Sequence, residues 1–198
     1  MANLEPRREE AKRTRRIADL LCSAHANLRD RYSTYAAVLD TSILLLSAFI
    51  VAHTFGMDKI PTQTTVFGLR YELLIAVASL GVFGLSILQL RVNWKEIAAA
   101  HAKSYSAYAE VKHDLTRLMA DEKIEESQLR FILSRYALAS EIGTNIPEAE
   151  FLKQKQIHKL KIEISQHLDK HPGSWIILIR LKLFLRDTFG DDANKNLK

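Results

Sequence analysis

The sequence predicts an all-α membrane protein, a two-span transmembrane hairpin with a helical cytosolic collar, assembled as a homo-oligomer. Three observations support this. The apolar residues of the 198-residue chain concentrate in two blocks, at 36–55 and 71–92. Between Thr41 and Met57, and between Leu73 and Leu90, there is no formal charge. Outside the blocks, apolar residues recur at helical steps among charged ones. Average composition hides this pattern, since 47% hydrophobic and 26% charged residues would suit a soluble protein.

Each block has the length of a spanning helix, about 20 mostly apolar residues. In lipid the backbone must satisfy its own hydrogen bonds, so each is expected to be helical. A pair of buried helices in a soluble core is the alternative, but a chain of this size has too little protein to wrap them. Lys and Arg near the span ends set the orientation. Arg7, Arg8, Lys12, Arg13, Arg15, Arg16, Arg29 and Arg31 precede the first span. Arg91, Lys95 and Lys103 follow the second, whereas the loop 56–70 holds only Lys59 and Arg70. Both termini are therefore expected in the cytoplasm and the short loop outside. No apolar core or cleavage site of a signal peptide is visible in residues 1–35. The net charge of +5 favours anionic partners, phospholipid or nucleotide phosphate. The single cysteine, Cys22, excludes an intrachain disulfide and suits a reducing compartment.

Residues 1–35 are expected to form a basic amphipathic helix that runs into the first span. Ile17, Leu21, Ala24, Leu28 and Tyr35 form its apolar stripe. Its arginines either touch anionic lipid or form a solvated face. Residues 93–189 are expected to be a cytosolic helical region. An unbroken helix to about residue 119 carries a seam of Ile97, His101, Ser104, Tyr108, Val111, Leu115 and Leu118, expected to pack antiparallel on the N-terminal helix. A helix over 127–141 ends at Gly143. Pro147 opens the next, which buries Ile157, Leu160, Ile164 and Leu168 and stops at His171, Pro172 and Gly173. Residues 174–189 alternate with period two, which suggests a strand, but no partner strand exists, so a short interfacial or packing helix is favoured. Residues 190–198 are expected to be disordered.

No catalytic constellation appears. There is no phosphate-cradling glycine loop, HExxH, nucleophile elbow or cysteine pair, so no enzymatic activity, cofactor or metal is expected. His101 is expected to be a packed or paired seam histidine. His167 and His171, at i and i+4, make a weak metal candidate near His158. Cys22 is expected to be a buried bystander rather than a reactive thiol.

The blocks themselves are more informative. Glu72, Ser79, Ser86 and Asn93 recur at sevens, with Val82 and Gln89 on the same stripe. Asp40, Ser47 and Thr54 do the same in the first span. A seven-residue step returns within about 20° of one direction on a helix, so each span has one polar stripe. Such stripes face protein or water. In one reading they line a water-filled pore, which requires a tetramer or larger assembly. In the other the two stripes face each other and hydroxyls and small residues join the helices. In the pore reading, Asp40 inside and Glu72 outside would be candidate charged rings at the pore mouths, favouring cations.

The order of segments resembles a known family. A helical N-terminus, a tight two-span hairpin, the long segment VNWKEIAAAHAKSYSAYAEVKHDLTRLM, a helix ending ALASEIGTNIPEAEF and a final helical segment span nearly the whole chain. Together they resemble the SLATT domain, a two-transmembrane effector of prokaryotic conflict systems. The resemblance implies a pore-forming ion channel of the bacterial inner membrane in antiviral, abortive-infection defence. A nucleotidyltransferase or other sensor partner would make an oligonucleotide messenger that controls it, and unrestrained opening would arrest or kill the cell. A gating ligand must bind the open and closed states differently. The collar offers Lys153, Lys155, Lys159, Lys161, Arg180, Lys182 and Arg186 as nucleotide-binding candidates, each otherwise a solvated or lipid-facing cation. The competing expectation is a non-conducting membrane anchor whose cytosolic helices recruit a partner protein.

Overall fold

A computed structural model describes residues 4–56, 65–66, 69–121 and 123–195 of the chain. It is all-helical apart from one minimal hairpin. Helix α1 runs Leu4–Gly56, followed by β1 (Thr65–Val66) and β2 (Leu69–Arg70). Then come α2 (Tyr71–Val92), α3 (Trp94–Ala120), α4 (Glu126–Ile142), α5 (Glu148–Lys170) and α6 (Ile176–Lys195). The strands pair antiparallel, with Thr65 opposite Arg70 and Val66 opposite Leu69. Most of the expected 56–70 loop lies outside the described residues.

Two helices are long and apolar enough to cross a membrane. At 22 residues, α2 is about 33 Å long, close to the hydrocarbon thickness of a bilayer. None of the most apolar stretch of α2 is buried, and only 11% of that of α1. Leu44, Leu45, Phe55, Leu80, Phe83 and Leu90 lie exposed. A core helix of a soluble protein would have these side chains covered.

The chain divides into two compact units. One comprises His25–Ala107 and Tyr136–Thr144, the other Met1–Ala24, Tyr108–Arg135 and Asn145–Lys198. In the first unit, α1 and α3 pair antiparallel. Tyr35 meets Trp94 at 5.5 Å between ring centroids, Tyr32 stacks on His101, and Arg29 lies over Tyr105. Ser104 Oγ accepts the Thr144 backbone N–H at 2.9 Å, tying the end of the α4 segment to α3.

In the second unit, Asp19 of α1 takes a 2.6 Å bond from Lys112 Nζ of α3. Arg135 of α4 bridges Glu110 and Asp114 of α3, and Arg7 reaches Glu126. These pairs are partly exposed, so each contributes about 1 kcal/mol or less. Burial of Val111, Leu115, Leu118, Ile124, Leu129 and Ile132 contributes more, at roughly 2 kcal/mol per side chain.

The α3 seam appears as expected, with His101, Ser104, Tyr108, Val111, Leu115 and Leu118 buried. The α1 stripe differs. Of the expected residues Ala24 and Leu28 are buried and Leu21 half-buried, joined by Ala11, Thr14, Ala18, Cys22 and His25, whereas Ile17 and Tyr35 are 37% and 45% exposed. Small side chains on this stripe let a neighbouring backbone approach, and the larger expected residues fall to its edge. On α5, Ile164 is buried, Leu160 and Leu168 are half-buried and Ile157 is 38% exposed. Pro147 sits at the N-cap of α5, one position before the expected first turn, and His171 caps its end. The 174–189 segment is helical, as favoured. It continues through Gly190 to Lys195, where an irregular tail was expected. One glycine costs a helix only about 1 kcal/mol.

The helix expected to leave α2 unbroken is interrupted. Asn93 adopts a left-handed backbone, φ 46°, between α2 and α3. Its carbonyl accepts the first α3 bonds from Glu96 and Ile97, and its Nδ2 donates to Glu96 Oε2 at 2.5 Å. Asn93 is thus the N-cap of α3, in a conformation asparagine tolerates better than most residues. Asn93→Gly is expected to leave thermal stability unchanged within about 0.5 kcal/mol, because glycine occupies this region freely. Asn93→Val is expected to cost about 1–2 kcal/mol. Thermal unfolding in detergent checks both, and equal stability of the two variants would contradict a required left-handed turn.

Candidate functional site

The sequence-predicted polar stripe separates into an inward and an outward part. Val82, Ser86 and Gln89 are half-buried on α2, as are Asp40 and Ser47 on α1. Gln89 Nε2 donates to Asp40 Oδ1 at 2.6 Å, which ties the two apolar helices together at one end. Lys95 Nζ approaches the other Asp40 oxygen at 2.6 Å. These groups line a cavity of about 360 Å³ with Ala36, Leu39, Leu90, Asn93 and Trp94. A charged group this close to an apolar span is costly unless paired. Here the carboxylate has both an amide donor and a counter-ion. Asp40 thus has a counter-ion, Lys95, on its own chain.

Three stripe hydroxyls donate within their own helix. Ser79 bonds the Ile75 carbonyl at 2.9 Å, Ser86 that of Val82 at 2.8 Å and Thr54 that of Ile50 at 2.8 Å. Each hydroxyl proton is satisfied one turn back on its own helix. The hydroxyl oxygens of Ser79 and Thr54 remain on exposed residues, as does Glu72. A side chain at Gly81 or Gly84 would meet nothing within 4 Å, so this part of α2 has open space beside it.

Lys95 was not singled out from sequence as the partner of Asp40. A signal existed, because Asp40 opens the first span and Lys95 follows the second, which places both near the same membrane face.

The cytosolic candidates fare unevenly. His101 is paired, as expected, and its partner is His25. Their Nδ1 atoms lie 2.9 Å apart, and the residues are 4% and 1% exposed. Tyr32 stacks on His101 with centroids 5.7 Å apart. Burial pushes His25 down to about 4 and lowers His101 as well, with Arg31 adding to the latter. One ring must donate and the other accept, so the resting pair is neutral.

Cys22 is buried, and desolvation pushes its thiol up to about 11. Relative to an ordinary thiol near 9, this lowers the thiolate fraction about a hundredfold. Iodoacetamide at pH 7.5 is expected to modify Cys22 only after denaturation. Rapid alkylation of the folded chain, followed by mass spectrometry, would contradict this burial.

His158 accepts or donates to Ser23 Oγ at 2.9 Å and lies 3.8 Å from Asp19. The His167 and His171 rings sit 5.1 Å apart. Among the described residues, no group of three potential metal ligands assembles.

Of the proposed nucleotide-binding cations, Lys182 and Arg186 come together. They line a cavity of about 380 Å³ between α5 and α6 with Lys170, His167, Gln166 and Glu163. Arg186 is held by Glu163 at 2.9 Å and by Asp187 at 2.8 Å. Its pKa is raised first by the Asp187 hydrogen bond and then by that of Glu163. Arg180 is exposed, and Lys153, Lys155, Lys159 and Lys161 are exposed on α5, none of them in the lining of this cleft. Lys155 and Lys159 share a face one turn apart, whereas Lys153 and Lys161 fall on other faces. Lys170 and His167 were not linked to this site from the sequence, since only the turn at 171–174 brings them opposite α6.

No protein-family model matches this sequence, and no curated protein or solved structure matches it.

Proposed function

We propose that the chain is a homo-oligomeric, pore-forming membrane effector of bacterial antiviral defence, gated by a nucleotide messenger from a partner nucleotidyltransferase or another sensor. It crosses the inner membrane twice with both termini in the cytoplasm. The observation that carries the reading is the outward half of the polar stripe. Glu72, Ser79 and Thr54 are exposed on two otherwise apolar helices that the chain itself leaves uncovered. Polar side chains facing acyl chains are costly. A shared aqueous axis among several copies relieves that cost, and a tetramer or larger assembly is needed to enclose one.

Two features of the hairpin suit a channel. The Asp40–Gln89 bond joins its helices, so each copy can move as one unit. Asn93 places a non-helical joint between α2 and α3, where movement of the collar can reach the membrane. For the messenger, the α5–α6 cleft is the favoured site, because Lys170 and Lys182 converge there with Arg186, which Glu163 and Asp187 hold in place.

Planar-bilayer recording of the purified assembly tests the pore. Unitary currents that change on adding cyclic oligonucleotides are expected, and a silent bilayer with intact oligomer would favour the non-conducting anchor. Binding through phosphate contacts should weaken about tenfold or more between 50 and 200 mM salt. Lys182→Gln should reduce both affinity and that slope. Salt-independent binding would remove the cleft from the account.

A further inference from the structure

Beside the cationic cleft, the turn between α5 and α6 forms a second cavity of about 390 Å³, lined by His167, Ser174, Trp175, Leu178, Ile179 and Lys182. His167, Ile179 and Lys182 also line the cleft, so the two cavities adjoin. They differ in chemistry. The cleft presents Lys170, Lys182 and Arg186, whereas the turn presents an indole and aliphatic carbon. Arg186 is already held by Glu163 and Asp187. Among the described residues, Lys170 and Lys182 form no ion pair. The backbone fixes the turn. Ser174 N–H donates to the His171 carbonyl at 3.1 Å, and the Trp175 carbonyl accepts the Ile179 N–H at 3.1 Å. Trp175 thus enters α6 at a set position, with its side chain 74% exposed. Lys182 follows seven residues later, within about 20° of the same direction and roughly 10 Å further along the axis.

Building on the proposed nucleotide reading of the cleft, we propose that the cavity at the turn takes the nucleobase, stacked on Trp175, of a nucleotide whose phosphates lie on Lys182 and Lys170. An inorganic anion would use the cleft and leave the indole idle. A flat aromatic group joined to phosphate through a sugar uses both cavities, with Lys182 at their border. Base–aromatic stacking is sequence-tolerant, because every base has a π-face. Leu178 and Ile179 line the cavity with carbon, which favours a base there over a second phosphate. The Ser174 hydroxyl and the His167 imidazole are the polar groups available to the base edge. Both cavities lie within one compact unit, so the site is complete on α5, α6 and the turn that joins them.

The test uses the full chain in detergent, in a Trp94→Phe background that leaves Trp175 as the single indole. ATP is titrated against inorganic tripolyphosphate, which offers the same phosphates, at least as much charge and no base. Calorimetry reads the affinities, and Trp175 emission reads stacking. ATP should bind about tenfold more tightly and quench the emission, and tripolyphosphate should bind without quenching. Trp175→Ala should weaken ATP about tenfold and leave tripolyphosphate unchanged, whereas Trp175→Phe, which keeps an aromatic face, should hold ATP within about threefold. Lys182→Gln should weaken both ligands. Tripolyphosphate binding with ATP no tighter and emission unchanged would overturn the base site and leave the phosphate cleft standing. Binding of neither ligand would remove the cleft itself, and the base site with it.

Discussion

Acidification from pH 7.5 to 5 is expected to destabilise the protein by about 2 kcal/mol through the His25–His101 pair, lowering Tm by roughly 5 °C. In the folded chain His25 stays neutral down to about 4, whereas in the unfolded chain it takes a proton near 6.5. Between those values the unfolded state binds more protons, so stability rises with pH. The contribution is complete above 6.5 and is lost as pH falls toward 4. Burial also lowers His101, which acts in the same direction. One shared Nδ1···Nδ1 bond cannot hold a proton on both facing nitrogens. His25→Gln keeps a hydrogen-bonding partner for His101 but removes one titrating group, so its Tm should vary less with pH. Thermal unfolding in detergent at several pH values reads both. An unchanged pH slope in His25→Gln would show that other groups govern acid sensitivity.

Asp40→Lys is expected to cost about 2–3 kcal/mol and to prevent the hairpin from accumulating in the membrane. In the native chain Asp40 accepts from Gln89 and pairs with Lys95. The reversal leaves the Gln89 amide and two ammonium groups without an acceptor beside an apolar cavity. Asp40→Lys combined with Lys95→Asp restores the ion pair with its direction exchanged and should recover much of the loss. Membrane fractionation and thermal stability of the single and double variants measure the coupling. Equal loss in both would mean that Asp40 acts independently of Lys95. Asp40→Asn keeps the Gln89 bond and leaves Lys95 without its counter-ion, so in the proposed channel ion preference should shift toward anions.

Much of this architecture was legible in the sequence, because the periods were strong. The charge-free blocks gave both apolar helices, and the Gly143, Pro147 and His171-Pro172-Gly173 punctuation placed the ends of α4 and α5 within a residue or two. The α3 seam was visible because large residues occupy it. On α1 the buried stripe is built from Ala11, Thr14, Ala18 and Cys22, and hydrophobicity alone ranks Ile17 and Tyr35 above them. The break at Asn93 was hidden because its flanks continue the helical pattern, and a left-handed cap depends on one residue's backbone. The polar stripes were legible as stripes. Their division into an inward set, with Asp40 and Gln89, and an outward set, with Glu72, Ser79 and Thr54, depends on how α1 and α2 are rotated against each other. A seven-residue period cannot supply that angle. The cationic cleft was half legible, since Lys182 and Arg186 stood out whereas Lys170 needed the turn between α5 and α6.

The most direct measurement is aqueous accessibility within α2, read by a membrane-impermeant thiol reagent on single cysteines in a Cys22→Ala background. If the outward stripe faces a shared water-filled axis, Ser79→Cys should react readily while its neighbour Leu80→Cys does not, and modification should block current. Unreactive Ser79→Cys that is quenched by brominated acyl chains would place the stripe against lipid and contradict the channel.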